Sequence, residues 1–147
     1  MSESITLKHI RRMLAALLAV GLTGIAVELW LLGHIEEWRQ IVPLVVIGLT
    51  LALLVWENLA PTRLVVQLLR VVMLALIVSG GLGVWFHYAG NLEFQMEMDP
   101  TQQGLALLLK ILHAKTPPAL APGVMAQLGV LGLVYTYKHP FLTQETR

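Results

Sequence analysis

The chain has 147 residues, of which 56% are apolar and 13% carry a charge. Soluble domains carry about 25% charged residues, so this composition excludes a water-solvated globule and the dense cationic face that nucleic-acid binding needs. Ten Lys and Arg nearly balance nine Asp and Glu, and cysteine is absent, which excludes disulfides, thiolate metal sites and cysteine nucleophiles.

The first apolar run covers 13–32, with Glu28 as its sole ionisable residue. Lys8, Arg11 and Arg12 precede it, as in a secretory signal. The run exceeds a signal's apolar region of roughly 7–15 residues and no A-x-A site follows, so a retained span is expected. A short connection over 33–40 leads to the second run, uncharged over 41–56 and expected to span about 41–57. Pro43 falls near its start, where a first-turn proline costs little, and Pro61 bars helical continuation beyond it. The third run, 64–88, is interrupted by Gln67, Arg70 and His87. Helices rise ~1.5 Å per residue, so about 20 residues cover a hydrocarbon core of roughly 30 Å.

The connection over 89–117 carries its own pattern, as functional loops often do. Gly90–Asn91 reads as a turn. Leu92, Phe94, Met96 and Met98 then alternate with Glu93, Gln95 and Glu97, the period of a half-buried extended segment. Asp99, Pro100 and Gln102 suit N-cap, N1 and N3 of a helix over 100–114. That amphipathic helix is too short to span, and is expected along the outer interface or against the bundle. Pro117–Pro118 ends it, and a fourth uncharged run covers 118–137.

Four crossings from a cytoplasmic N-terminus put Lys8, Arg11, Arg12, Arg63, Arg70, Lys138 and Arg147 inside, and Arg39, Lys110 and Lys115 outside. This is the bias of the positive-inside rule. Trp30, Trp38, Trp85, Phe86 and Tyr88 then mark the outer boundary, and Trp56, Tyr135 and Tyr137 the inner one, depths that amphipathic rings favour. The expected fold is an all-α integral membrane protein, one domain over 1–147. Four antiparallel transmembrane helices have both termini cytoplasmic, with a short amphipathic helix in the outer loop between spans three and four. A bacterial inner membrane is the expected location.

Helices in lipid associate through close backbone approach and a few polar contacts. Ala15, Ala19 and Thr23 on span one, Ser79, Gly80, Gly81 and Gly83 on span three, and Ala126, Gly129, Gly132 and Thr136 on span four read as contact ridges, with a hinge or a cavity lining the alternative for Ser79–Gly83.

Two charged residues, Glu28 and Arg70, fall inside the apolar runs. Glu28, about one turn inside the outer boundary, suits a proton relay, a cation site or a buried base's partner, or else reaches the interface beside Trp30 and His34. Arg70 suits snorkelling to inner headgroups, or an ion pair with Glu57 across the second hairpin. The outer face collects His34, His87, His113, Met96, Met98, Glu93 and Glu97 as candidate ligands. Imidazole binds copper, zinc or haem iron and thioethers favour Cu(I), and His34 with His87 would suit axial haem ligation. No phosphate loop, nucleophile elbow or H-E-x-x-H motif is present. His139 reads as simply following span four.

The expected role is therefore non-enzymatic: an accessory, assembly or self-associating subunit. Its partners would be the lipid bilayer and other membrane subunits or copies of itself, with no nucleic acid. No cofactor is expected under this reading. The alternatives are binding of a metal (copper among them), haem or quinone at the extracytoplasmic face, and a small proton-coupled transporter using Glu28.

Overall fold

The computed structural model describes residues 4–114 and 120–143. Their regular structure is helical: α1 (Ile5–Leu31), α2 (Trp38–Leu59), α3 (Arg63–Met98), α4 (Gly104–Leu112), α5 (Ala121–Tyr135) and α6 (Pro140–Thr143). Local chemistry sets several of the ends. The Ser4 hydroxyl accepts from the Leu7 N–H and the Thr62 hydroxyl from the Val65 N–H, capping α1 and α3. Gly33 takes φ +65° just after α1, in the left-handed region open to glycine. The Gln40 side chain accepts from the Glu36 and Glu37 N–H groups at the start of α2.

α1, α2 and α3 are each long and apolar enough to cross a membrane. Their outward faces are apolar: Val20, Val71 and Val78 are 73%, 61% and 61% exposed. A water-soluble protein rarely carries such surface, whereas lipid solvates it. α5 has 15 residues, about 22 Å of helix.

One core joins α1, α2, α3 and α5. It takes Leu18, Leu22, Ile25 and Leu29 from α1, Ile47, Thr50, Leu54 and Glu57 from α2, Leu69, Met73, Leu76 and Gly80 from α3, and Met125, Leu128, Gly132 and Tyr135 from α5. Successive positions alternate by three and four residues, the seam of helices packed side by side at a shallow angle. The closest approach is between α3 and α5. A Cβ on Gly80 would lie 2.6 Å from the Pro122 carbonyl oxygen, and one on Gly129 2.7 Å from that of Met73. Of the two ridges expected there, Gly80 and Gly83 on α3 and Ala126, Gly129 and Gly132 on α5 make the contact, whereas Gly81 is exposed with nothing near its Cβ position and Ser79 lines a slot between α2 and α3. On α1 the intimate contact is made instead by Gly21, against Leu128, while Thr23 is exposed.

The chain departs from its sequence pattern in four places. Gly90–Asn91 forms no turn and 92–98 no extended segment, because α3 runs unbroken to Met98. Leu, Glu, Gln and Met are good helix formers, and extending an existing helix avoids the cost of nucleation. The Asn91 amide also donates to the Ile111 carbonyl at 3.4 Å, fixing α3 against α4. Second, α4 begins at Gly104, not Pro100. The Asp99 carboxylate accepts from the Thr101 N–H and hydroxyl at 3.1 and 2.6 Å, as an N-cap would, but Gly104 takes φ +62°, outside the right-handed helical region, and separates this turn from α4. Third, Pro43 is the sixth residue of α2, so the Arg39 carbonyl lacks its i+4 N–H partner. Fourth, the described part of the last apolar run is helical only over Ala121–Tyr135. Residues 118 and 119, with the Pro117–Pro118 stop and Lys115, lie outside the described residues.

Candidate functional site

Polar groups gather at two ends of the packed helices. At the first end, Glu57 in the last turn of α2 is buried although it is a carboxylate. The Tyr135 hydroxyl donates to its Oε2 at 2.5 Å, and His139 Nε2 lies 3.3 Å from its Oε1. Tyr135 and His139 are one turn apart, so α5 and the turn that follows it present both to Glu57. Arg11 of α1 closes the cluster, its guanidinium donating to the carbonyls of Tyr135, Tyr137 and Lys138. A cation on the carbonyls that end a helix satisfies orphan acceptors and meets the negative end of its dipole. Lys138, at φ +46°, makes the reversal that exposes those carbonyls.

This cluster corrects two expectations. Glu57 is not the partner of Arg70: its oxygens are taken by Tyr135 and His139, and Arg70 is exposed on α3. His139 does not merely trail the fourth run, since it is 4% exposed and bonded to α2. Sequence reading puts Arg11 and Tyr135 at the inner boundary and Glu57 beside Arg70 without joining them, and the Tyr135–His139 spacing of four is the one local signal of a shared face.

At the opposite end a slot of about 710 Å³ opens between α2 and α3, within the ~300–1,000 Å³ range of small-ligand pockets. On α3 it extends from Ala75 to Glu93, about 27 Å of helix. Its walls are apolar, with Val42, Val46, Val78, Leu82 and Phe86 among them. Gly83, which has no side chain to fill the space, also lines it, as does Pro43. Ser79 lies toward the deep end, and His34, His87, Arg39, Glu37 and Glu93 stand around the mouth.

Three elements supply the mouth. His34 comes from the α1–α2 connection and His87 from α3, their rings 6.4 Å apart between centroids with planes 18° from parallel. Burial first, and the neighbouring His87 second, hold the His34 pKa below the ordinary imidazole value of 6.5, so His34 is neutral at pH 7. Arg39 of α2 lies over both the Trp38 and the Phe86 ring, 5.5 Å from each centroid. Its guanidinium has no carboxylate partner among the described residues, and neither imidazole has a side-chain hydrogen bond there.

Of the candidate ligands, the structure brings His34, His87 and Glu93 to this slot. His113 bonds the Leu109 carbonyl of its own helix at 2.8 Å. Met96, Met98 and Glu97 are exposed on the far end of α3 and do not line the slot. Among the described residues, no group of three or more His, Asp or Glu converges as a metal-binding set. Glu28 is exposed on the outward face of α1 and lines neither this slot nor the smaller groove between α1 and α2. Sequence reasoning missed Arg39, Phe86 and Trp38 as site residues, since the aromatics read as boundary markers and the arginine as a loop charge. Comparison with protein-family models, curated proteins and solved structures finds no match.

Proposed function

We propose that this chain is a non-enzymatic membrane protein that holds a lipid-soluble ligand in the slot between α2 and α3. The observation that carries this is the mouth: two imidazoles and a guanidinium, without side-chain hydrogen bonds or ion pairs among the described residues, top a largely apolar channel. Clefts with apolar walls and a few convergent polar groups are the usual form of a ligand site.

The accompanying topology has four crossings, both termini cytoplasmic, and the slot opening at the outer face of a bacterial inner membrane. Charge bias supports it, with seven of the ten Lys and Arg on the inner side. So does the reach of Arg11 to the end of α5, which brings the start of α1 and the end of α5 to the same side. α5 is short for a span, but it begins beside Gly80 and Gly83 and ends beside Glu57, so it follows α3 through the depth in question.

Extraction of the protein purified in mild detergent, followed by mass spectrometry, tests the binding role. One lipid-soluble species enriched near one per chain, and lost from Ala75→Met/Ser79→Leu or His34→Gln/His87→Gln, is the expected result. Extracts matching the bulk membrane for every variant would overturn it.

A second reading, an accessory or self-associating subunit, is favoured by Glu28. This carboxylate is exposed one turn from Gly24, with Thr23 exposed farther round α1, and small and polar residues are what helices in lipid present to one another. Single cysteines at Gly24 or Thr23, in a chain with no other cysteine, should then crosslink to a copy or to a second protein; purely monomeric products count against association.

A further inference from the structure

Resting on the binding role proposed above, we infer that the slot takes a neutral quinone, its ring held at the mouth by His34, His87 and Arg39 and its apolar tail lying between α2 and α3. The choice of head follows from charge and hydrogen-bond type. An anionic head, such as a phospholipid phosphate, would meet Arg39 but also the carboxylates of Glu37 and Glu93 at the same mouth. A cationic head would be drawn by Glu37 and Glu93 but would meet the Arg39 guanidinium, which lies over the Trp38 and Phe86 faces. A neutral head that accepts hydrogen bonds escapes both objections.

The donors are suited to such a head. A neutral imidazole has one N–H to give, and guanidinium has five N–H donors and no acceptor. They stand on three separate elements around one opening, so a rigid ring with carbonyls on opposite edges can be held from more than one side. The tail requirement comes from the walls, which are apolar from Phe86 down to Ala75 apart from the Ser79 hydroxyl. Nothing here requires electron transfer, because binding alone accounts for the arrangement.

Trp38 lines the slot and makes the test direct. The purified full-length protein in detergent is titrated with decylubiquinone, a benzoquinone ring on a ten-carbon tail, while tryptophan fluorescence is followed. Dodecanol, which has a tail and no carbonyl, and phosphatidylglycerol, which has an anionic head, serve as competitors. The expected result is saturable quenching, largely lost in Trp38→Phe, with at least tenfold weaker binding in His34→Ala/His87→Ala. Neither competitor should displace the quinone at equal concentration. If dodecanol or phosphatidylglycerol competes equally, the quinone assignment falls while the slot remains a lipid site. If decylubiquinone fails to saturate although extraction recovers another enriched species, the assignment again falls alone. If no tailed probe saturates and extraction recovers nothing, the binding role falls with it.

Discussion

At the Glu57 end a carboxylate, a phenol, an imidazole and a guanidinium are each less than a tenth exposed and are bonded across α1, α2 and the end of α5. At the His34 end two imidazoles and a guanidinium surround an open slot, and their side chains have no hydrogen bonds among the described residues. Burying a polar group costs free energy unless it is bonded, and the first cluster meets most of that cost through its own bonds, His139 Nδ1 being the atom left without a partner among the described residues. The second set stays partly solvated and leaves its donors available. One end fastens the helices, and the other is equipped to receive something.

Breaking the fastened end should have the largest effect. Glu57→Ala strands the Tyr135 hydroxyl and leaves His139 and Arg11 without the carboxylate, and removing one member of a buried pair costs about 3–5 kcal/mol. A lowered unfolding midpoint in detergent is expected, with Glu57→Gln recovering part of the loss through its remaining acceptor oxygen. A midpoint unchanged in both would mean that the cluster contributes little.

The α3–α5 contact comes next. Gly80→Ala and Gly129→Ala each push a Cβ onto backbone atoms that cannot swing aside, an overpacking cost of about 1–3 kcal/mol. Gly24→Ala meets nothing within 4 Å and should be near neutral, which separates crowding from a general intolerance of substitution. Equal losses at all three glycines would contradict the packing argument.

The smallest effect is that of pH at the open end. Because His34 is held below the ordinary 6.5 in the folded chain, the unfolded chain takes up that proton first as pH falls. Its stabilising contribution is complete above 6.5 and declines as pH drops from there toward the lower folded value. The slope of stability against pH between 7 and 5 should therefore shrink in His34→Gln; an unaltered slope would remove His34 as its source.

The difference between the ends also explains what could be read from sequence. The apolar runs and the glycines of α3 and α5 were legible because lipid restricts helices to long apolar stretches with close-packed small residues. The continuation of α3 past Gly90 was not, since residues 92–98 alternate as a strand would while consisting largely of good helix formers. Glu57 and Tyr135 lie 78 positions apart, and no local pattern announces a bond of that range. His34 and His87 were visible as helix-end residues, but the slot beside them depends on how far α2 and α3 stand apart, and residue order does not encode that directly.

The sharpest measurement compares two variants in one detergent: the unfolding midpoint and the decylubiquinone affinity of Glu57→Ala and of His34→Ala/His87→Ala. The account predicts that Glu57→Ala loses stability and, at temperatures where it is still folded, binds as the unaltered protein does, whereas the histidine pair keeps its midpoint and loses binding at least tenfold. A histidine variant that unfolds as readily as Glu57→Ala, or that binds undiminished, would contradict the division between a fastened end and a receptive one.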